Sequence, residues 1–116
     1  MQEREIEKSK IHLLIEIIEY VPNSVVSKTI IRKNTGNISV VAIDTGVALA
    51  EKISPFDTFI QIIEGTAEVV IDDQPNTLQM GQGIIIPAHT SNIVKASKRF
   101  KMISTVIKSG YEGSTI

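Results

Sequence analysis

The sequence predicts an all-β protein, an antiparallel sandwich or barrel of eight or nine short strands. From residue 24 onward, runs rich in Val, Ile and Thr follow one another along the chain, and β-branched residues favour strands. Gly, Asn, Asp and Pro separate these runs at short intervals, which is typical of the turns in a sandwich or barrel. The chain has 116 residues, the size of one domain with its own hydrophobic core.

Residues 1–22 are interpreted as a polar N-terminal arm followed by a short helix. The first ten residues are nearly all charged or polar, and a terminus without apolar anchors is commonly disordered. The next apolar residues follow helical spacing, at Ile11, Leu14, Ile15 and Ile18. Because Pro22 ends this pattern, we predict a short amphipathic helix over residues 11–21 that covers a sheet edge or the end of a barrel.

Residues 23–108 are interpreted as the β-barrel, and residues 109–116 as a loose C-terminal tail. The predicted strands, in chain order, are 24–32, 37–44, 47–53, 59–63, 66–71, 76–80, 84–86, 91–96 and 100–108. A bend at Pro55 separates the third strand from the fourth, since proline supplies no amide donor. Gly65 separates the fourth from the fifth, where a tight connection favours a residue that tolerates positive φ.

Two groups of glycine and proline residues stand at suggestive spacings between residues 46 and 96. The first opens at Gly46 and closes at Gly65, with Thr58 seven residues before the closing glycine. The second begins at Gly81 and continues through Pro87. This frame resembles the two motifs of the cupins, and in particular the small single-domain barrels of the cupin 2 type. The resemblance implies a jelly-roll barrel, also called a double-stranded β-helix.

Metal-bearing cupins use two His, a Glu and a later His inside the barrel to bind Fe, Mn, Zn, Ni or Cu. The resemblance puts these four positions at Lys52, Ser54, Thr58 and Asn92. With an alternative spacing of the first motif, the first pair becomes Glu51 and Ile53. Neither set contains an imidazole, on which such sites rely, and a protonated lysine repels cations. The resemblance therefore implies a cupin that lacks the usual histidines, and we expect no metal and no other cofactor.

Four titratable residues near these positions have both a chemical and a structural interpretation. His89 follows the second motif's proline but stands where the family has a turn glycine, so we interpret it as a polar turn residue rather than as a rearranged ligand. Asp57 with Glu51 would make an acid/base pair, yet an Asp after a Pro-Phe bend commonly caps backbone amides. Lys52 suits anion binding or, as a weaker alternative, Schiff-base chemistry. Its structural interpretation is a lysine that extends its stem along the barrel rim.

Three further predictions concern the remaining side chains. His12 lies in the predicted helix, where we expect a surface or interface residue. Met102, on the same strand face as Phe100, is interpreted as a core residue, with the cavity wall as the alternative. The basic residues near the last strand are interpreted as a solvated edge, namely Lys95, Lys98, Arg99 and Lys101.

Composition narrows the classes of function. The net charge is −1, with no basic stripe and few aromatic residues, so nucleic-acid binding has little support. The absence of cysteine excludes disulfides and thiolate chemistry. The polar, acidic N-terminus does not match a signal peptide, and no apolar run approaches a membrane span. We therefore expect a cytoplasmic protein without membrane partners, and the resemblance suggests a homodimer.

Three functions remain open at this point. The first is metal-free binding of a small metabolite in the barrel, and Lys52 would suit one with an anionic group. The second is an isomerase or lyase of small carbonyl or sugar-like compounds, as some cupins are, which needs a titrating group near the cavity. The third is a non-catalytic dimeric interaction protein whose surface, rather than its interior, is the working part.

Overall fold

The computed structural model describes residues 5–110, and within this range it contains nine β-strands. They are β1 (Val25–Lys33), β2 (Gly36–Ile43), β3 (Lys52–Ile53), β4 (Asp57–Glu64), β5 (Thr66–Ile71), β6 (Gln74–Gln79), β7 (Gly83–Ile86), β8 (Ser91–Lys95) and β9 (Phe100–Ile107). The start of the predicted arm, residues 1–4, and most of the predicted tail, residues 111–116, lie outside the described residues.

The strands form two antiparallel sheets. The larger has the order β1-β2-β9-β4-β7 and the smaller the order β3-β8-β5-β6. Each named pairing in both sheets is antiparallel. The predicted all-β antiparallel architecture is therefore confirmed, and each predicted strand has a counterpart in the structure.

The hydrophobic core lies between the two sheets and follows from the alternation of side chains along each strand. On β4, Ile60 and Ile62 are buried, whereas Phe59, whose side chain lies on the opposite face of the sheet, is exposed. Ile62 stands opposite Met102 of β9 in the register. The largest fully buried side chains in this core are Phe100, Ile43, Ile62, Val69 and Val94.

The predicted N-terminal helix is wrong. Residues 11–21 form turns and bends, and no helix occurs anywhere in the described range 5–110. Of the residues at helical spacing, Ile11 is 99% exposed and only Ile18 is buried, at 5%. Short helices are marginal unless one face is packed, and β-branched residues weaken them further. Residues 5–110 accordingly contain no helix long and apolar enough to cross a membrane.

In place of a helix, the N-terminal segment (residues 11–21) lies across the outer face of the larger sheet. Ile18 packs against Val40 and Ala42 of β2. The Tyr20 hydroxyl donates a hydrogen bond of 2.6 Å to Glu64 Oε1, and Lys101 Nζ donates to the carbonyl oxygen of Ile15. The segment therefore covers this face without regular secondary structure and is held there by a few individual contacts.

The prediction for Lys101 is also wrong, because this residue was expected on a solvated edge. It is only 7% exposed, and its ammonium lies 3.8 Å from Glu64 Oε1 and 5.0 Å from the centre of the Tyr20 ring. A buried cation needs such partners. The N-terminal segment, whose position was not predicted, is what removes Lys101 from water.

The strand predicted over residues 47–53 is regular only at Lys52–Ile53. Before it, Ala48 forms an isolated bridge with Lys95, and the Leu49 amide donates to the Val94 carbonyl over 2.8 Å. Val47 and Leu49 nevertheless pack against the core. The predicted strand is therefore mostly irregular, because a run of apolar residues does not report whether a ladder is continuous.

Candidate ligand-binding site

A cavity of about 200 Å³ opens between the two sheets. Its wall is apolar in its deeper part and polar toward one side. The lining residues are Leu49, Lys52, Ser54, Thr58, Ile60, Ile86, Pro87, Asn92, Val94, Met102, Ser104 and Val106. A concave, mostly apolar site with a few convergent polar groups is the usual form of a small-molecule site.

The four positions that the cupin resemblance singled out all line this cavity. Lys52 of β3 stands directly opposite Asn92 of β8 in the antiparallel register, so the two side chains share one face. Thr58 of β4 stands opposite Ile86 and Val106. The bend after β3 adds Ser54, which brings side chains from both sheets to one end of the cavity.

Asn92 is the most deeply buried polar group of the four, at 3% exposed. Its Nδ2 donates a hydrogen bond of 3.3 Å to the carbonyl oxygen of Lys52. Because a carbonyl only accepts, this bond fixes which end of the amide is nitrogen. Its Oδ1 is buried and accepts no hydrogen bond from any described residue. A buried acceptor without a partner costs about 1–3 kcal/mol, so this atom calls for a donor inside the cavity.

Ser54 fixes the bend at the cavity mouth through both its side chain and its backbone. Its Oγ accepts a hydrogen bond of 3.1 Å from the Phe56 amide. Its carbonyl oxygen accepts one of 2.7 Å from the His89 amide. The loop after β7 is therefore tied to the bend after β3, and the mouth is held by backbone contacts from both sheets.

Lys52 is the one titratable residue in the cavity wall. Its side chain is exposed, and it forms no ion pair with any residue in the range 5–110. The interpretation of a lysine at the barrel rim is consistent with this position. The cavity consequently carries a positive group at its mouth and no negative group in its wall.

The other titratable candidates have structural roles and are not among the lining residues. His89 is exposed and has a φ of +67°, the conformation expected where the family has a turn glycine. Asp57 accepts a hydrogen bond of 2.7 Å from the Ala88 amide, as predicted for a capping residue. Glu51 accepts one from the Ser91 hydroxyl. The structure therefore assigns separate hydrogen-bonding roles to Glu51 and Asp57.

Sequence reasoning missed seven members of the wall, namely Leu49, Ile60, Ile86, Pro87, Val94, Ser104 and Val106. Ser104 and Val106 lie on β9, two and four residues beyond Met102, which belongs both to the expected core and to the wall. Period-two alternation from Met102 would have found both. Leu49 enters from the irregular stretch before β3, which no simple period describes. Phe100, proposed together with Met102, is buried in the core.

The donor set of this cavity does not fit a transition metal. It offers an ammonium, three hydroxyls and one amide, and it contains neither imidazole nor carboxylate, the ligands that such ions prefer. Across residues 5–110, no group of three or more His, Asp or Glu side chains is placed to hold a metal ion. The chemistry of the wall is instead that of hydrogen bonding and charge pairing with an organic molecule.

The fold is shared with solved proteins. A conserved protein of unknown function from Streptococcus pyogenes superposes with a TM-score of 0.85 at 28% identity, covering 93% of this chain and 96% of that one. A cupin superfamily protein from Desulfitobacterium hafniense gives 0.83 at 24% identity, covering 92% and 98%. An RmlC-like cupin from Shewanella frigidimarina gives 0.72 at 14% identity, covering 81% and 85%.

No protein-family model matches the sequence, and the comparison with curated proteins finds no match. The structural likenesses nevertheless cover nearly the whole of this chain and of its neighbours. The chain therefore has the cupin fold, as the resemblance of its two motifs implied. At these sequence identities the structural likeness establishes the fold alone, and the chemistry of the cavity has to be inferred from its own side chains.

Proposed function

We propose that this protein binds a small anionic metabolite in the cavity between its sheets, without a metal ion. The observation that carries the proposal is the convergence of Lys52, Ser54, Thr58 and Asn92 on one cavity that has no acidic residue in its wall. An ammonium without a carboxylate partner attracts an anion, and hydroxyl and amide groups beside it orient the bound molecule.

The absence of metal in the working protein is part of the same proposal. Lys52 supplies the positive charge for an anionic ligand, so binding requires no metal ion. Elemental analysis of protein purified without added metal tests this point, with a stoichiometric content of Fe, Mn, Ni, Cu or Zn as the contrary result.

The isomerase or lyase alternative would depend on Lys52 for its proton or covalent chemistry. His89 and Asp57 were the other candidates, and neither lines the cavity. A single exposed lysine does not provide the pair of tuned acid and base that such reactions commonly use. The side chains therefore favour binding over catalysis.

The direct experiment is a thermal-shift screen of small carboxylates and phosphates, followed by calorimetry of the hits. Lys52→Met should weaken binding at least tenfold, since a hydrogen bond to a charged group contributes about 1.5–3 kcal/mol. Lys95→Met is the matched control, because Lys95 lies on β8 but outside the cavity wall and is exposed. A screen without hits, or equal loss in both variants, would contradict the proposal.

A second proposal concerns the outer face of the larger sheet, which we infer to be a contact between two copies of the chain. The N-terminal segment covers one half of this face. The other half carries a row of mostly apolar residues that oppose one another across all five strands. We call this the outer row, and it consists of Ile31, Ile38, Thr105, Phe59 and Ile85.

The arrangement of charges beside the outer row favours a second copy as the occupant. In the next row Lys33 of β1 and Asp57 of β4 stand at opposite ends, with Gly36 and Ile107 between them. A twofold axis parallel to the strands would place Lys33 over Asp57 of the partner subunit. The same axis, which lies between β2 and β9, would also place Ile31 over Phe59 of the partner subunit. The face is thus self-complementary in both charge and apolar contact, as a twofold interface requires.

A further inference from the structure

We propose that the ligand of the cavity is a short aliphatic acid with a hydroxyl group beside its carboxylate, that is, a 2-hydroxy acid. This inference rests on the proposed function, because it assumes that the cavity binds an anion through Lys52. It adds a requirement that comes from Asn92 and not from the charge. A simple carboxylate satisfies Lys52 but leaves Asn92 Oδ1 without a donor.

Asn92 Oδ1 is the atom that specifies a donor on the ligand. The side chain lines the cavity and is buried, its nitrogen is engaged by the Lys52 carbonyl, and its oxygen has no partner among residues 5–110. A site built to pair with a ligand hydroxyl rejects the analogue that lacks it, because the buried acceptor is then left unsatisfied.

The register determines where on the ligand that donor lies. Lys52 and Asn92 are directly opposed on neighbouring strands, so their Cβ atoms are about 4.5–5.5 Å apart. The long lysine stem reaches the exposed mouth, while the short asparagine side chain stays inside. A carboxylate paired with Lys52 therefore has its neighbouring carbon closest to Asn92. The hydroxyl belongs on that carbon.

The charge of the wall selects a hydroxyl over an ammonium as the donor. No Asp or Glu lines the cavity, and Lys52 is already positive. An ammonium on the ligand would lie close to a like charge without a carboxylate to balance it, which is unfavourable in a partly enclosed site. A 2-amino acid is therefore excluded by the same residues that accept a 2-hydroxy acid.

The size and the deeper wall of the cavity determine the remainder of the ligand. A volume of about 200 Å³ equals roughly seven water molecules at about 30 Å³ each. Ile60, Val94 and Met102 form the buried end and offer only apolar contact. A branched or straight chain of two or three carbons beyond the hydroxyl-bearing carbon fits this space.

Three matched compounds test the inference by calorimetry or by NMR titration. They are 2-hydroxy-3-methylbutanoate, 3-methylbutanoate, which lacks the hydroxyl, and valine, which replaces it with an ammonium. We expect the hydroxy acid to bind roughly tenfold more tightly than the plain acid, and valine to bind more weakly than either. In Asn92→Leu, which keeps the side-chain volume but removes the acceptor, the two acids should bind equally.

The outcomes separate this inference from the proposed function. If both acids bind the wild type equally and Lys52→Met weakens both, the anion site stands and the role of Asn92 is refuted, as when a water satisfies Oδ1. If the hydroxy acid keeps its advantage in Asn92→Leu, the donor is read by another residue and the inference is again wrong. If neither acid binds, the inference is wrong, and the proposed function fails with it only when the wider screen of carboxylates and phosphates is also without hits.

Discussion

Gly65 joins β4 to β5 with a backbone φ of +81°, and the chain passes close to β9 at this point. A Cβ at this position would lie 2.6 Å from the Arg99 carbonyl oxygen, which is a backbone atom and cannot swing aside. Gly81 has a similar φ of +89°, but a Cβ there would meet nothing within 4 Å. A side chain at Gly81 would therefore introduce backbone strain alone, whereas a side chain at Gly65 would add a steric overlap to that strain.

We expect Gly81→Ala to lower the free energy of unfolding by about 1 kcal/mol, the cost of positive φ for a non-glycine residue. Gly65→Ala should cost at least about twice as much, because the overlap with Arg99 adds to that strain. Urea unfolding of the two variants measures the difference. Equal losses would mean that the backbone near Arg99 relaxes freely.

Asp44 joins the turn before β1 to the loop before β9. Its Oδ2 accepts a hydrogen bond of 2.8 Å from the Asn23 amide, and its Oδ1 accepts one of 3.1 Å from Arg99. The backbone amides of Asn23 and Thr45, followed by the charge of Arg99, lower the pKa of Asp44 below its ordinary value. The folded protein therefore favours the ionised carboxylate.

A carboxylate whose pKa is lower in the folded state stabilises the protein above its unfolded pKa, about 3.9 for Asp. That contribution is lost as the pH falls through the lower, folded value. Asp44→Asn should consequently unfold at a lower urea concentration than the wild type at pH 7, and the two midpoints should converge at acidic pH. A difference that does not change with pH would show that packing, rather than charge, makes the contribution.

At the scale of single residues, the motif spacing predicted the four cavity positions and the turn role of His89, and the Pro-Phe bend predicted the capping role of Asp57. These positions are fixed by local backbone geometry, which glycine and proline reveal in a sequence. The unpartnered oxygen of Asn92 was not predictable. It depends on a bond across two strands that are 40 residues apart, and no local pattern records such a bond.

At the scale of elements, the conformation of the N-terminal segment was not predictable from local sequence pattern. The periodicity of residues 11–21 indicated burial of one face, but the segment contributes Ile18 and half-buried Ile17 and Tyr20 to an irregular contact. Helical spacing also predicted that Ile11 would be covered, and it is exposed. What determines the conformation is the sheet surface underneath, formed by β2, β4 and β9, which lies far away in the sequence.

We expect Ile18→Ala to lower the free energy of unfolding by about 2 kcal/mol, at the lower end for a buried isoleucine, because the contact lies on an outer face. Ile11→Ala is the matched control and should change it by less than about 0.5 kcal/mol. Chemical denaturation of both variants provides the measurement. Similar losses at the two positions would favour the amphipathic helix that the structure lacks.

Tyr20 adds a pH dependence to the same element. Burial, and then its hydrogen bond to Glu64, raise the pKa of the Tyr20 phenol above its ordinary value near 10. The folded state thus holds this proton more tightly than the unfolded state does. The stabilisation is complete below about pH 10 and is lost as the pH rises toward the folded pKa.

At the scale of the whole molecule, the outer row predicts a dimer in solution. Ile31 is 41% exposed and would face Phe59 of the partner subunit, so Ile31→Glu should place a carboxylate in an apolar contact and yield monomers. Met80→Glu changes a more exposed residue, 69% accessible, that lies outside the sheet. That control should remain dimeric by light scattering at matched concentrations. A monomeric wild type, or dissociation of both variants, would rule out this interface.

The sheet order β1-β2-β9-β4-β7 governs how the chain can fold while it is being made. β9 is the last strand to leave the ribosome among the described residues, yet it lies at the centre of the larger sheet and pairs with both β2 and β4. Until Ile107 has emerged, those two strands present open edges. Chaperones that shield unpaired strands should therefore meet this nascent chain late, and release it only after β9 is complete.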